Sequence, residues 1–263
     1  MSGFDTTWLT LREPSDGRAR NEPLLARFTA EVDGADQPVI LDIGCGTGST
    51  PRAIGPHLRH AVGWRLFDHD QRLLDAAKSR HGGEAGFEFV QGDLNRLEAL
   101  PLHDARFVTA SALFDLCSGE FIDRFVAHIA GLRTGLYAAL NYDGRMQWSQ
   151  AHELDDAVAT RFNAHQRTDK GFGPSLGPGA WQHLADALSS AGYRVEIAPS
   201  PWVLTADDAD LQAMFLQGVA DAVTEDGTLG RPQVAEWLEF RRDSIKAVGS
   251  SCLVGHQDVL AIR

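Results

Sequence analysis

The sequence predicts an α/β fold, an open and mostly parallel sheet between two layers of helices. Three observations predict it. The apolar run Val39-Ile-Leu leads through Asp42 and Ile43 into glycines at 44, 46 and 48, which reads as a buried strand, a sharp turn and a helix start. Strand-like runs alternate with amphipathic helical patterns along most of the chain, and right-handed crossovers turn that alternation into a parallel sheet. The 263 residues, 43% of them hydrophobic, are ample for one large α/β domain and do not require two.

Residues 5–31 read as mixed helix and loop, with Trp8, Leu9 and Leu11 and then Leu24, Leu25 and Phe28 as apolar markers. Such a segment can cap a ligand cleft. The first strand is expected over 38–43 and the next helix to about Leu58. Ser49 or Thr50 can cap that helix, and Pro51 is tolerated in its first turn. A second strand over 62–67 precedes a helix over 70–79, whose Leu73, Leu74 and Ala77 share one face. Strands follow at 87–90 and 105–110. Ser118 suits the cap of a helix with Phe121, Ile122, Phe125, Val126 and Ile129 at helical spacing, and 135–141 is the fifth strand. Beyond 142 the pattern loosens into a helix over 155–167 and a Gly/Pro-rich run over 171–179. A helix over 181–191, a sixth strand over 193–197, two more helices and a last strand over 251–262 close the chain. The expected organisation is a single domain over 1–263, with a cap segment at 1–36 and a substrate lid at 143–176.

The glycine turn narrows the ligand. A dinucleotide fingerprint is Gly-x-Gly-x-x-Gly, whereas here the glycines alternate and Ser49 follows them. No Lys-Ser or Lys-Thr follows the turn, which excludes a P-loop. Asp42 would repel a pyrophosphate, but it suits a cationic amino acid, held directly or through water. The ligand suggested is a nucleoside joined to an amino acid.

On these residues the segment resembles motif I of the class I S-adenosylmethionine-dependent methyltransferases, whose pattern is an acid, any residue, then alternating glycines. By motif the resemblance spans roughly residues 37–142. It implies a Rossmann-like three-layer sandwich with a seven-stranded sheet, the last strand antiparallel and set beside the sixth. It implies S-adenosyl-L-methionine as cofactor, gripped by Asp42 and the turn Gly44, Cys45, Gly46 and Gly48. Asp68 ends the second strand, where an acid can accept both ribose hydroxyls, and His69 would lie against the adenine. Asp93, in Val90-Gln-Gly-Asp-Leu94, would accept from the adenine amino group, with the Leu94 amide near a ring nitrogen. Helix capping is the competing reading of both Asp68 and Asp93. The loop after the fourth strand would pass the methionine half, with Ala110 and Ser111 as backbone contacts. Asp115 is the candidate catalytic carboxylate, able to orient or deprotonate a nucleophile, against a capping role for the helix near Ser118. Asn141, Tyr142, His165 and Phe172 are the candidate contacts to the methyl acceptor; Trp202 and His256 read as packing and turn residues.

Composition bounds the partners. A net charge of −12 disfavours nucleic acid and anionic membrane, both of which are gripped by Lys and Arg. No Asn-Pro-Pro-Tyr or Asp-Pro-Pro-Tyr string is present, no apolar run reaches membrane-spanning length, and the start lacks signal-peptide character. Cys45, Cys117 and Cys252 are odd in number and form no Cys-x-x-Cys, which suits a reduced cytoplasmic setting. The histidines lack metal-ligand spacing, so no metal is expected. The expected activity is in-line methyl transfer to a small organic molecule. An NAD-dependent oxidoreductase and a non-catalytic cofactor-binding module are the alternatives.

Overall fold

Residues 5–83 and 85–263 are described by the computed structural model. The first four residues of the expected cap segment lie outside them. Five parallel strands make the centre of the sheet: β1 (Val39–Ile43), β2 (Gly63–Asp68), β3 (Phe87–Gln91), β4 (Ala105–Ser111) and β5 (Gly135–Trp148). β6 (Arg194–Pro199), the short β7 (Trp202–Leu204) and β8 (Cys252–Ile262) complete it. The order across the sheet is β3-β2-β1-β4-β5-β8-β6, with β7 also paired to β8. β8 runs antiparallel between β5 and β6. Strand order reverses between β1 and β4, so a ligand crevice opens beyond their carboxyl ends.

Two expectations are corrected. Among the described residues the sheet has eight strands, not seven. β8 is 11 residues long, β6 pairs only its 257–262 half, and β7 takes 252–254. β5, expected to stop at Asn141, continues to Trp148. The ladder shifts register between Ala138 and Asn141, where Leu140 has φ 58°, and again between Tyr142 and Met146, and pairs β8 as far as Trp148. Residues 143–148 of the expected lid therefore belong to β5, with 146–148 paired to β8.

The helices are α1 (Thr6–Ala19), α2 (Glu22–Asp33), α3 (Ser49–Ile54), α4 (Gln71–His81), α5 (Gly119–Leu132), α6 (Asp155–His165), α7 (Ala180–Ser190), α8 (Ala209–Asp226) and α9 (Arg231–Ile245). Asp5, Asn21, Asp70 and Ser118 each accept a backbone N–H at the starts of α1, α2, α4 and α5. Such caps are worth ~1 kcal/mol each. Strand alternation then divides the core. Leu41 and Ile43 pack with Phe121, Phe125 and Ile129 of α5 and with Leu184 and Leu188 of α7. Ile40 joins Leu24, Phe28 and Val32 of α2 and Leu74 and Ala77 of α4 on the opposite face. A third cluster lies beyond the sheet proper. Tyr142 and Met146 of β5 and Cys252 and Val254 of β8 meet Val158 of α6, Val219 and Val223 of α8, and Trp237 of α9. The extended ends of β5 and β8 thus carry the helical additions over the carboxyl edge of the sheet.

Candidate functional site

The glycine turn is fixed by backbone and by packing. Gly44, Gly46 and Gly48 have φ of 60°, 54° and 73°. Gly48, not Ser49 or Thr50, is the N-cap of α3, and a Cβ there would lie 2.7 Å from His81 Nε2. Only glycine meets both demands. Asp68, 4% exposed, braces the same turn: Oδ2 accepts from the Gly46 amide at 2.9 Å and Oδ1 from the Asp70 amide at 2.9 Å. Asp70, rather than Asp68, caps α4.

A cavity of about 410 Å³ lies over this turn. Gly44, Gly46, Asp68, His69, Asp93, Leu94 and Ser111 line it, so the tips of β1 to β4 converge there. Asp93 Oδ1 accepts from both the amide and the side chain of Asn95, and Asn95 Nδ2 also donates to the Gly171 carbonyl. That bond ties the β3 tip to the segment carrying Lys170 and Phe172, which form another wall. Burial holds the Lys170 ammonium below its usual pKa. From α1, Leu9 and Arg12 close the remaining side.

Asp42, Cys45, Gly48 and Ala110 do not line the cavity. Cys45 and Ala110 are packed into the core, at 6% and 1% exposed. Asp42 lies beneath the turn, because strand alternation turns it away from the Leu41 and Ile43 face. Its Oδ1 accepts from Thr109 Oγ1 at 2.7 Å, while Oδ2 is buried without a partner. Burial pushes its carboxyl up to about 7, with the Thr109 bond acting the other way. Nearby, Arg20 donates through Nη2 to Ser111 Oγ at 2.8 Å, and its Nε and Nη1 are buried without partners.

A second cavity, of about 420 Å³, lies under α6 and α8 and against the extended ends of β5 and β8. Aromatic side chains dominate its wall: Trp8, Tyr142, Phe162, Trp202 and Phe215. Asp115 is on the wall, with Oδ1 buried and unpartnered, and burial pushes its carboxyl up to about 6. His256 is 5% exposed; burial and then the nearby Arg12 push its imidazole down to about 3. Tyr142 and His165 are also on this wall. Tyr142 donates to Asn163 Oδ1 at 2.8 Å, and His165 Nε2 lies 3.2 Å from Glu225.

The other two expected acceptor contacts are placed elsewhere. Asn141 is 1% exposed and lines neither cavity; its amide donates to the carbonyls of Ala138 and Gln257, bridging the irregular step in β5. Phe172 lines the first cavity, where its ring packs 4.8 Å from that of Phe121. Sequence reasoning placed Trp8 and Leu9 in a segment able to cap the cleft without assigning either to a cavity, missed Arg12, and read Trp202 and His256 as packing and turn residues. Arg12 carried no signal, because its pairing with Asp16 four residues on (2.8 Å) is what a surface helix also displays. Gly218 did carry one, since it interrupts the long α8 pattern and lines the second cavity.

Among the described residues no group of three metal-ligating side chains gathers, and no helix is long and apolar enough to cross a membrane. Residues 40–133 match the family model described as a methyltransferase domain. No curated protein matches the chain in sequence. Solved structures share the fold at low identity. The YcgJ protein of Bacillus subtilis is 16% identical with a TM-score of 0.52, over 92% of this chain and 99% of its own. The cyclopropane synthase MmaA2 of Mycobacterium tuberculosis is 13% identical with a TM-score of 0.52, over 93% and 88%. Haemonchus contortus phosphoethanolamine N-methyltransferase 2, solved with phosphomonomethylethanolamine and S-adenosylhomocysteine, is 12% identical with a TM-score of 0.51, over 100% and 59%.

Proposed function

We propose that this chain, a class I S-adenosylmethionine-dependent methyltransferase with its methyltransferase domain at residues 40–133, methylates a small organic molecule held in the second cavity. The observation that carries this reading is a shared wall: Arg12, Ala112 and Leu116 border both cavities. A methyl group held at that wall is within reach of a nucleophile on the other side.

The first cavity suits the cofactor chemically. Asp68 has lone pairs beyond the two its amide bonds occupy, and these can accept ribose hydroxyls. Asp93 Oδ2 is available to an amino group, and His69 and Leu73 offer flat and apolar flanks. Asp42 Oδ2, buried and unpartnered under the turn, suits the amino-acid half through an ordered water. S-adenosylmethionine supplies an electrophilic sulfonium methyl. The residues around it bind, align and exclude water, and good alignment of reacting groups is worth ~7–11 kcal/mol. Residues 149–176 serve as the lid in this reading. They supply Phe162, His165 and Gln166 to the acceptor cavity and Lys170 and Phe172 to the cofactor cavity.

Isothermal titration with S-adenosylhomocysteine tests the assignment. Asp68→Ala is expected to weaken binding ~100-fold, because hydrogen bonds to a charged group are worth ~1.5–3 kcal/mol each. Unchanged binding by that variant would take Asp68 out of the site.

A further inference from the structure

We propose that the second cavity takes a planar, apolar hydroxy compound of the phenol or naphthol class, and that Asp115 accepts the proton of the hydroxyl that is methylated. The proposal rests on the methyltransferase reading above and names the acceptor for the same site. Four observations carry it.

The wall is built for a flat apolar body. Trp8, Phe162, Trp202 and Phe215 present rings, and about 420 Å³ is at the lower end of the ~300–1,000 Å³ range of small-molecule sites. A body of one or two fused rings is of that size. The space is also kept open. Gly218 stands on the cavity-facing stripe of α8, and a Cβ placed there meets nothing within 4 Å. A glycine inside a helix is unfavourable relative to alanine, so the gap is maintained against helix propensity.

The polar groups ask for hydrogen-bond donors. Asp115 Oδ1 and His256 Nδ1 are both buried without partners. His256 is held neutral by burial, and a neutral imidazole carries one ring nitrogen able to accept. A ligand O–H satisfies such an atom, and leaving it unmet is costly. The charges then select among donors. The Arg12 guanidinium acts on both Asp115 and His256. Its charge offsets the attraction that Asp115 and the aromatic rings hold for an ammonium. It favours the oxyanion that develops when a hydroxyl loses its proton. A carboxylate acceptor meets repulsion from Asp115 and supplies no donor.

The step balances as follows. The hydroxyl proton passes to an Asp115 oxygen, the hydroxyl oxygen forms a C–O bond to the donor's methyl carbon, and the C–S bond breaks with its electron pair left on sulfur. The product is an aryl methyl ether, and Asp115 later releases its proton to water.

The test uses the whole protein saturated with S-adenosylhomocysteine, and Trp8 and Trp202 report binding by fluorescence. The probes are 2-naphthol, naphthalene and 2-naphthylmethylamine. The expected order is 2-naphthol tightest, by ~10-fold or more over the other two. With S-adenosylmethionine, 2-naphthol should give its methyl ether, with kcat/KM rising with pH through about 6. Asp115→Asn should lower kcat ~100-fold and flatten that rise while S-adenosylhomocysteine binding stays as in the unaltered protein. Gly218→Leu, which adds a good helix former into open space, should abolish 2-naphthol binding and spare S-adenosylhomocysteine. Tighter binding or methylation of the amine, or no binding of any aromatic probe by a protein that binds S-adenosylhomocysteine, overturns the proposal alone. Failure to bind S-adenosylhomocysteine overturns the underlying reading with it.

Discussion

At the scale of single residues, the site holds carboxylates where burial works against their charge. Asp42 is 1% exposed with one oxygen unpartnered, and its carboxyl sits at about 7 in the fold against an ordinary 3.8. Between those two values the native state holds a proton that the unfolded state has released. Stability from this group is therefore present at low pH and falls as pH rises from about 4 to about 7. The full span is on the order of 4 kcal/mol. Asparagine matches the protonated acid in shape, so Asp42→Asn should leave the melting temperature of the ligand-free protein near unchanged at pH 4. At pH 8 it should raise it by ~5 °C or more. Equal melting temperatures at both pH values would show that Asp42 is not held protonated. The acid and its glycines were legible in the sequence because the turn fixes residue types at fixed spacing. What the sequence did not convey was depth: strand alternation sends Asp42 below the floor, and only Asp68 and Asp93 reach the cavity wall.

At the scale of elements, the fold was legible wherever a period repeats over a full strand or helix. α5 and its Ser118 cap follow directly from apolar spacing. β7, three residues long, has no room for a period. The continuation of β5 was hidden by Asp143-Gly144, a turn-like pair; in the fold Asp143 instead bonds Arg145 and Gln257 inside the ladder. The helices stacked on these strand ends are joined by an ion pair between a buried arginine and a half-buried aspartate. Arg241 of α9, 1% exposed, bonds Asp155 at the start of α6 and the Gln150 carbonyl at 2.7 Å. Its guanidinium lies 4.4 Å from the Trp148 ring, and Trp237 Nε1 donates to the same Asp155 at 3.0 Å. Removing one partner of such a pair strands the other charge, so Arg241→Leu should destabilise the protein by ~3–5 kcal/mol. Chemical denaturation measures this. A loss under ~1 kcal/mol would mean that solvent already screens the pair.

At the scale of the whole molecule, the two cavities share one wall, and it includes α1. α1 buries only Ser15 and Asp16, yet it supplies Leu9 to one cavity, Trp8 to the other and Arg12 to both. Arg12 is itself positioned by Asp16, which also accepts from Trp202 Nε1 at 2.9 Å beside the second cavity. A ligand in either cavity restrains α1, and a second ligand then meets a wall already ordered. Positive coupling between cofactor and acceptor follows, and linkage requires the factor to be the same in both directions. With S-adenosylhomocysteine bound, 2-naphthol should bind ~5–30-fold more tightly, and 2-naphthol should tighten S-adenosylhomocysteine by the same factor. Arg12→Ala should reduce both factors toward unity, because it removes the α1 side chain common to the two walls and releases Asp16. Titrations in both orders measure the cycle. A coupling factor near one in the unaltered protein would mean that α1 is a fixed wall, and that the two cavities meet without communicating.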